Sequence, residues 1–306
     1  MTPVTISAGD LTVTVLTWGA AVRAVHLRDV AHNLTCTPDD PADYLTDCPY
    51  HGTLIGPIAN RISNARVKIG GMMHELERNQ DGLIHLHSGK GGTHLQDWSI
   101  IDQSAETVTL ALRLPDGMCG LPGNRMIHAT YRVTAPATLT LTIDGTTDDP
   151  TMMNFANHSY WNLDGGTTWD SHILQIDADS YLPINADGTP TGDVVPVDDT
   201  AFDFRAGGRA LSTQTDVFDN NLCLSKVRMA QRDVATLTGR NGLRMTMATT
   251  EPGLQIYDGR DVPNSRHGIA IEAQGWPDAP NHRGFPSIKV TPDAPYQQTT
   301  SWKFNR

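Results

Sequence analysis

The feature that most constrains this chain is a recurring texture: short runs in which apolar and polar residues alternate one by one, each ended by a glycine- or proline-rich turn. The run LTVTVLTW sets the pattern, and ETVTLALRL, ATLTLTIDG, HILQIDADSY, LRMTMATTEP and GIAIEAQ repeat it. A period of two puts the apolar residues on one face of a strand, and the many Val, Ile and Thr fit a pleated, half-buried surface. Turn clusters such as GKGG, PDGMCGLPGN, NADGTPTGD and EPG draw on 27 glycines and 19 prolines. Helical patterning is scarce; PADYL and the stretch after Asn220 are its ambiguous candidates. Many strands with frequent turns imply an all-β fold, a large antiparallel sandwich or barrel. No fixed-period repeat, low-complexity tract or linker interrupts the 306 residues, so 1–306 reads as a single domain.

Several function classes are disfavoured at once. A formal net charge of -11 does not suit nucleic acid or an anionic membrane surface, both of which select basic proteins. No stretch approaches the ~18 apolar residues of a membrane span. The N-terminus MTPVTISAGDLTVTVLTWG lacks the basic and apolar regions of a secretion signal. The four cysteines show no CxxC spacing, which argues against a zinc knuckle or a redox motif, and they are too sparse in so long a chain to suggest a disulfide framework. The expectation is a cytoplasmic protein, monomer or homodimer, acting on a neutral or weakly charged small molecule.

Chemistry concentrates in NFANHSYWNLDGG, where His158 stands among carboxamides, a hydroxyl and two aromatic rings. Polar groups beside aromatic faces suit a hydroxylated ligand, and an imidazole moves protons near neutral pH. Other candidates lie along the chain. Asn60 and Arg61, at the end of HGTLIGPIANRI, offer several donors, although singly they read as a turn Asn and a surface Arg. In LIHLHSGKGG, alternation places His85 and His87 on one face. With His94 they could suggest a metal, but one i,i+2 pair without a nearby carboxylate or cysteine is weak evidence, and a cleft-lining histidine is preferred. The long loop 181–205 has the length of a functional segment. Asp219 in FDNN reads either as a turn residue or as an acceptor for paired hydroxyls. Gln255 and Tyr257 share a face opposite Leu254 and Ile256. Likewise Glu272 shares a face with Ala270 and Gln274, opposite Ile269 and Ile271. Small residues beside a carboxylate leave room for a ligand, and a buried Glu needs a partner or a role.

In order, the stretches YHGTLIGPIANRI, HLHSG, PDGMCGLPGN, NFANHSYWNLDG, YLPINADGTPTG, FDN, TEPGLQIY and EAQGWPDAPNHRGFPS resemble the aldose 1-epimerase (galactose mutarotase) family along nearly the whole chain. The resemblance implies a galactose mutarotase-like supersandwich with its active site in a cleft on one sheet face. It implies Glu272 as general base and His158 as general acid, with Asn60, Arg61, His87, Asp219 and Gln255 binding the substrate. The implied reaction interconverts the α and β anomers of a free aldose such as galactose or glucose, with no metal and no cofactor. Three positions depart from the family pattern: Pro57, His85 and Ser88. They are expected near the sugar-binding rim, where they would bear on which sugar is preferred. Tyr160 and Trp161 receive no chemical step and are expected to pack or to wall the cleft.

This chemistry suits the residue types. Anomers interconvert by opening a cyclic hemiacetal, rotating about C1–C2 and reclosing on the other carbonyl face. Opening removes the C1-hydroxyl proton and delivers a proton to the ring oxygen. An ionised carboxylate and a protonated imidazole do this together, and unperturbed pKa values of about 4.3 and 6.5 are close to that state at neutral pH. Two other readings stand beside it: a hexose-6-phosphate 1-epimerase, which would call for clustered cations, and a non-catalytic carbohydrate-binding sandwich, which would need no acid–base pair.

Overall fold

The computed structural model describes residues 1–263 and 267–306. Strands dominate, and among the described residues the only helices are six short 3₁₀ segments. PADYL is one of these, at Pro41–Leu45, started by Pro41 and by the Asp40 carboxylate accepting from the Ala42 N–H. The stretch around Asn220 is the strand Asp219–Cys223, which resolves that ambiguity in favour of β and places Asp219 in a strand instead of a turn.

Two sheets form the body. The larger has nine strands, with Arg125–Thr134, Thr138–Thr147 and Tyr296–Asn305 at its centre. The second has seven strands, among them Asp219–Cys223, Gly253–Tyr257, Ile269–Gln274 and Tyr160–Trp161 as consecutive neighbours. Every pairing between these strands is antiparallel. The expected alternation is present: Ile127, Ala129, Tyr131 and Val133 of the larger sheet join Leu254, Ile256, Ile269 and Ile271 of the smaller in one buried apolar cluster. That cluster draws on residues from Val4 to Phe304. Removing this apolar surface from water drives the two sheets together.

The layout fixes what the other face of the seven-stranded sheet can carry. With Leu254, Ile256, Ile269 and Ile271 turned inward, Gln255, Tyr257, Ala270 and Glu272 turn outward. Outward does not mean exposed, because loops and the small strand pair Arg61–Ile62 with His85–Leu86 fold over this face. A second apolar cluster, including Ile58, Ile62, Leu182, Trp276 and Phe285, anchors that cover.

Candidate active site

The outward face of the seven-stranded sheet is laid out in rows. Register pairs Asn221 with Gln255 and Gln255 with Glu272. Tyr160 pairs with Ala270, and Ala270 with Tyr257. Carried two residues beyond the short Tyr160–Trp161 ladder, the same register sets His158 opposite Glu272. The backbone of His158 is held by its N–H donating to Thr53 O at 2.9 Å and its carbonyl accepting from Gly52 N at 3.0 Å. Its Nε2 lies 3.6 Å from Glu272 Oε1, with both side chains almost fully buried.

All seven sequence-predicted site residues line one cavity of about 180 Å³. That is smaller than the ~300–1,000 Å³ sites that hold drug-sized ligands, and suits one small ring. His158 and Glu272 face each other on this lining, and Arg61, Asp219 and Gln255 form a bonded group beside them, with Gln255 next to Glu272 across the strands. Arg61 donates through Nη1 to Asp219 Oδ2 at 3.1 Å and through Nε to Gln80 Oε1 at 2.9 Å. Gln255 Nε2 donates to the other Asp219 oxygen at 2.8 Å. Asp219 thus accepts with both oxygens, from protein groups, and its strand position fixes the direction of both.

His87 is set from the opposite side. The Asn60 N–H donates to His87 Nδ1 at 3.1 Å, which leaves the ring proton on Nε2. Burial, reinforced by His158, His94 and Arg61, pushes the His87 pKa well down, so the ring is a neutral donor. His87 also corrects an expectation. The strand ends at Leu86 and His87 takes φ 51°, so the alternation that would put His85 beside it is broken. His85 instead donates from Nδ1 to the Glu77 carbonyl at 2.8 Å and does not line the cavity.

Pro57 and Ser88 are likewise buried and absent from the lining, so the three departures lie behind the wall and not on a rim. Ser88 Oγ accepts from the Ile58 N–H at 2.7 Å and donates to the Ile58 carbonyl at 3.1 Å. It ties the segment that bears Asn60 to the one that bears His87.

Electrostatics at His158 and Glu272 also differ from the unperturbed values. Burial and the Asp219 charge push the Glu272 carboxyl well above its usual range, against a smaller opposing effect of Arg61. Burial pushes the His158 imidazole down to about 3, helped by His51. Burial thus makes each group resist charge.

Some lining residues were not singled out from the sequence. Tyr50 packs its ring 5.1 Å from His87, 5.2 Å from His94 and 5.8 Å from His158, holding three imidazoles in place. Tyr257, Asp261, Val262 and Leu86 complete the wall with Tyr160. The signal for Tyr257 was present, since it alternates with Gln255; Tyr50 opens the stretch YHGTLIGPIANRI, but nothing in its pattern set it apart there. Tyr160 and Trp161 part company: Tyr160 faces the cavity, while Trp161 packs against Trp302 and Phe304 in the core.

Known proteins share this arrangement of the chain. The family model described as aldose 1-epimerase matches residues 3–303. A galactose mutarotase from Rattus norvegicus is 30% identical, aligned over 98% of this chain and 93% of its own length. The Escherichia coli (strain K12) aldose 1-epimerase is also 30% identical, over 96% of this chain and 92% of its own. Among solved structures, a GalM/aldose epimerase homologue from C. elegans superposes with a TM-score of 0.92 at 26% identity, covering 100% of this chain and 99% of its own. A galactose 1-epimerase from Lactobacillus acidophilus gives 0.86 at 29%, covering 99% and 94%. With a family model spanning nearly every residue and relatives aligned end to end, this chain belongs to the aldose 1-epimerase family.

Proposed function

We propose that the protein interconverts the α and β anomers of a free monosaccharide, galactose or glucose in the first instance, with Glu272 and His158 as its acid–base pair. The observation that carries this reading is their opposition at 3.6 Å in the lining of a cavity sized for a single ring. Glu272 as carboxylate removes the C1-hydroxyl proton while His158 as imidazolium protonates the ring oxygen. The ring opens, C1–C2 rotates, and the roles reverse on closing. Each positioned proton transfer contributes about 10²–10⁴-fold.

The electrostatics fit this cycle. The charged pair and the uncharged pair hold the same number of protons, one. The charged pair faces the cyclic sugar and the uncharged pair faces the open aldehyde. Because burial favours the uncharged arrangement, the site is matched to the open-chain intermediate more closely than to the cyclic ground state. Asn60, Arg61, His87, Asp219 and Gln255 orient the sugar hydroxyls; the Arg61–Asp219–Gln255 group offers donors and acceptors already fixed in place, which lowers the cost of ordering them on binding.

A phosphorylated sugar suits this cavity poorly. Among the described lining residues Arg61 is the one permanent cation and it is already paired, while Asp219 and Asp261 would repel a dianion. We place the protein in the cytoplasm as one catalytic unit, a reading supported by four free cysteines and by a core that spans the chain. The test is saturation-transfer NMR of anomeric signals across a panel of free and 6-phosphorylated aldoses. Accelerated exchange of a free aldose is expected. No acceleration, or faster exchange of the phosphorylated form, would overturn the reading.

A further inference from the structure

Along the strand direction, the His158–Glu272 pair is bracketed by two unlike ties. On one side the tie is backbone: Tyr160 pairs with Ala270 and Trp161 with Ile269. On the other side, past Glu272, side chains take over. The Asn154 carboxamide accepts from the Gly275 N–H through Oδ1 at 2.7 Å and donates through Nδ2 to the Gly275 carbonyl at 3.2 Å. Exchanging both bonds with one residue is what a peptide unit does in an antiparallel ladder. A second tie runs beside it. The Phe155 N–H donates to the Tyr296 hydroxyl at 3.2 Å, and that hydroxyl donates to Gln298 Oε1 at 2.7 Å. Gln298 Nε2 then donates to the Ala273 carbonyl at 3.0 Å. Asn154, Tyr296 and Gln298 are all buried, where such bonds are stronger than in water.

Asn154 lies shortly before His158 in the chain and Gly275 shortly after Glu272, so this carboxamide sets the spacing of the two segments that carry the pair. The Asn154 backbone reaches a third segment. Its N–H donates to the Pro57 carbonyl at 2.6 Å and its carbonyl accepts from the Ala59 N–H at 2.8 Å, just ahead of Asn60 and Arg61. The backbone therefore holds a sugar-binding segment, while the side chain holds the strand of Glu272. We infer that Asn154 is a positioning residue for the reaction: its carboxamide, bonded to Gly275, keeps Glu272 in line with His158. The inference rests on the anomer-exchange reading of the site. Asn154 does not line the cavity and moves no proton. Its effect is geometric, and a misplacement of about 1 Å in reacting groups can cost about 10²-fold in rate. A carboxylate of the same shape would keep the bond from the Gly275 N–H but set its second oxygen against the Gly275 carbonyl.

The experiment is anomer exchange in Asn154→Asp between about pH 5 and pH 9, with kcat, KM and thermal unfolding measured on the same samples. With the acid ionised, kcat is expected to fall roughly 10–100-fold while KM changes by less than about threefold. Protonation restores a donor to the Gly275 carbonyl, and burial raises the pH at which it occurs, so the kcat deficit should shrink toward acid pH. A folded variant with wild-type kcat throughout overturns the inference, as does a deficit constant across the range or a raised KM with kcat unchanged. Asn33→Asp is the control. That carboxamide likewise accepts from backbone N–H groups, of Val25 and Thr35, and donates to the Arg23 carbonyl, outside the cavity lining. Its kcat should match the wild type, and an equal loss in both variants overturns the inference. If Asn154→Asp does not fold, Gly275→Ala crowds the same bond from its other partner, since a Cβ there would meet Asn154 Oδ1 at 3.0 Å and Ile288 Cγ2 at 2.9 Å. A lower kcat is expected, and an unchanged one overturns the inference. Wild-type protein that exchanges no aldose would instead overturn the reading of the site as a whole.

Discussion

His158 Nε2 faces Glu272 Oε1 at 3.6 Å although the two residues lie on separate segments far apart in the chain. The register of Tyr160–Trp161 on Ile269–Gln274 brings them together. Their surroundings, more than their mutual attraction, set their protonation. Neither Glu272 Oε2 nor His158 Nδ1 has a hydrogen-bond partner, so little within the protein stabilises charge on either.

This has a consequence for pH dependence. The competent pair holds one proton. Adding a second requires protonating an imidazole that burial has pushed down to about 3. Removing the last leaves a buried carboxylate whose protonated form is favoured. Both effects widen the one-proton window, so the acid limb of kcat/KM is expected below about pH 5 instead of near the ordinary histidine pKa of about 6.5. A profile of kcat/KM against pH checks this, and an acid limb centred near 6.5 would contradict it.

The same burial has a cost in stability. The folded-state pKa of Glu272 lies above its unfolded value, so its contribution is fully present below about pH 4.3 and is lost as pH rises through the folded pKa. Glu272→Gln removes that dependence. Its melting temperature is expected to exceed that of the wild type at pH 8 by more than it does at pH 5. Calorimetry at both values decides; an equal difference at the two would remove the carboxyl from the account.

A glycine outside the cavity lining bears on substrate affinity. Gly188, at φ +79°, lies in the loop between Tyr181 and Arg205, and a Cβ there would meet the Arg61 guanidinium at 2.6 Å. Arg61 cannot yield freely because Asp219 and Gln80 hold it. Gly188→Ala should therefore raise KM, on the order of 10-fold, as expected when a bond to substrate is displaced without loss of the acid–base pair. Gly242→Ala is the control, since Gly242 has a similar φ of +84° but nothing within 4 Å of the added methyl. Equal KM values in the two variants would show that strain alone acts.

Much of this site was legible in the residues because strand alternation is a strong rule. It put Gln255 beside Tyr257, and Glu272 on the side away from Ile269 and Ile271, as found. The resemblance supplied the rest of the candidate set, whose members do converge on one cavity. What alternation cannot give is register between strands distant in sequence, and register is what opposes His158 to Glu272. Nor does it survive a left-handed residue. Positive φ at His87 and Ser88 turned one histidine into the cavity and left His85 and Ser88 behind it, so positions expected near the sugar-binding rim support the wall instead. The direction of the pKa shifts at Glu272 and His158 was out of reach for a related reason. Charge states drawn from unperturbed pKa values ignore burial, and burial depends on loops folded over the sheet face.

The most direct measurement is anomer exchange by Glu272→Gln on the aldose that the wild type handles best, with sugar binding followed by NMR in the same samples. The predicted result is a rate lower by about 10²–10⁴-fold or more with binding retained. Exchange at the wild-type rate in this variant would contradict the acid–base account.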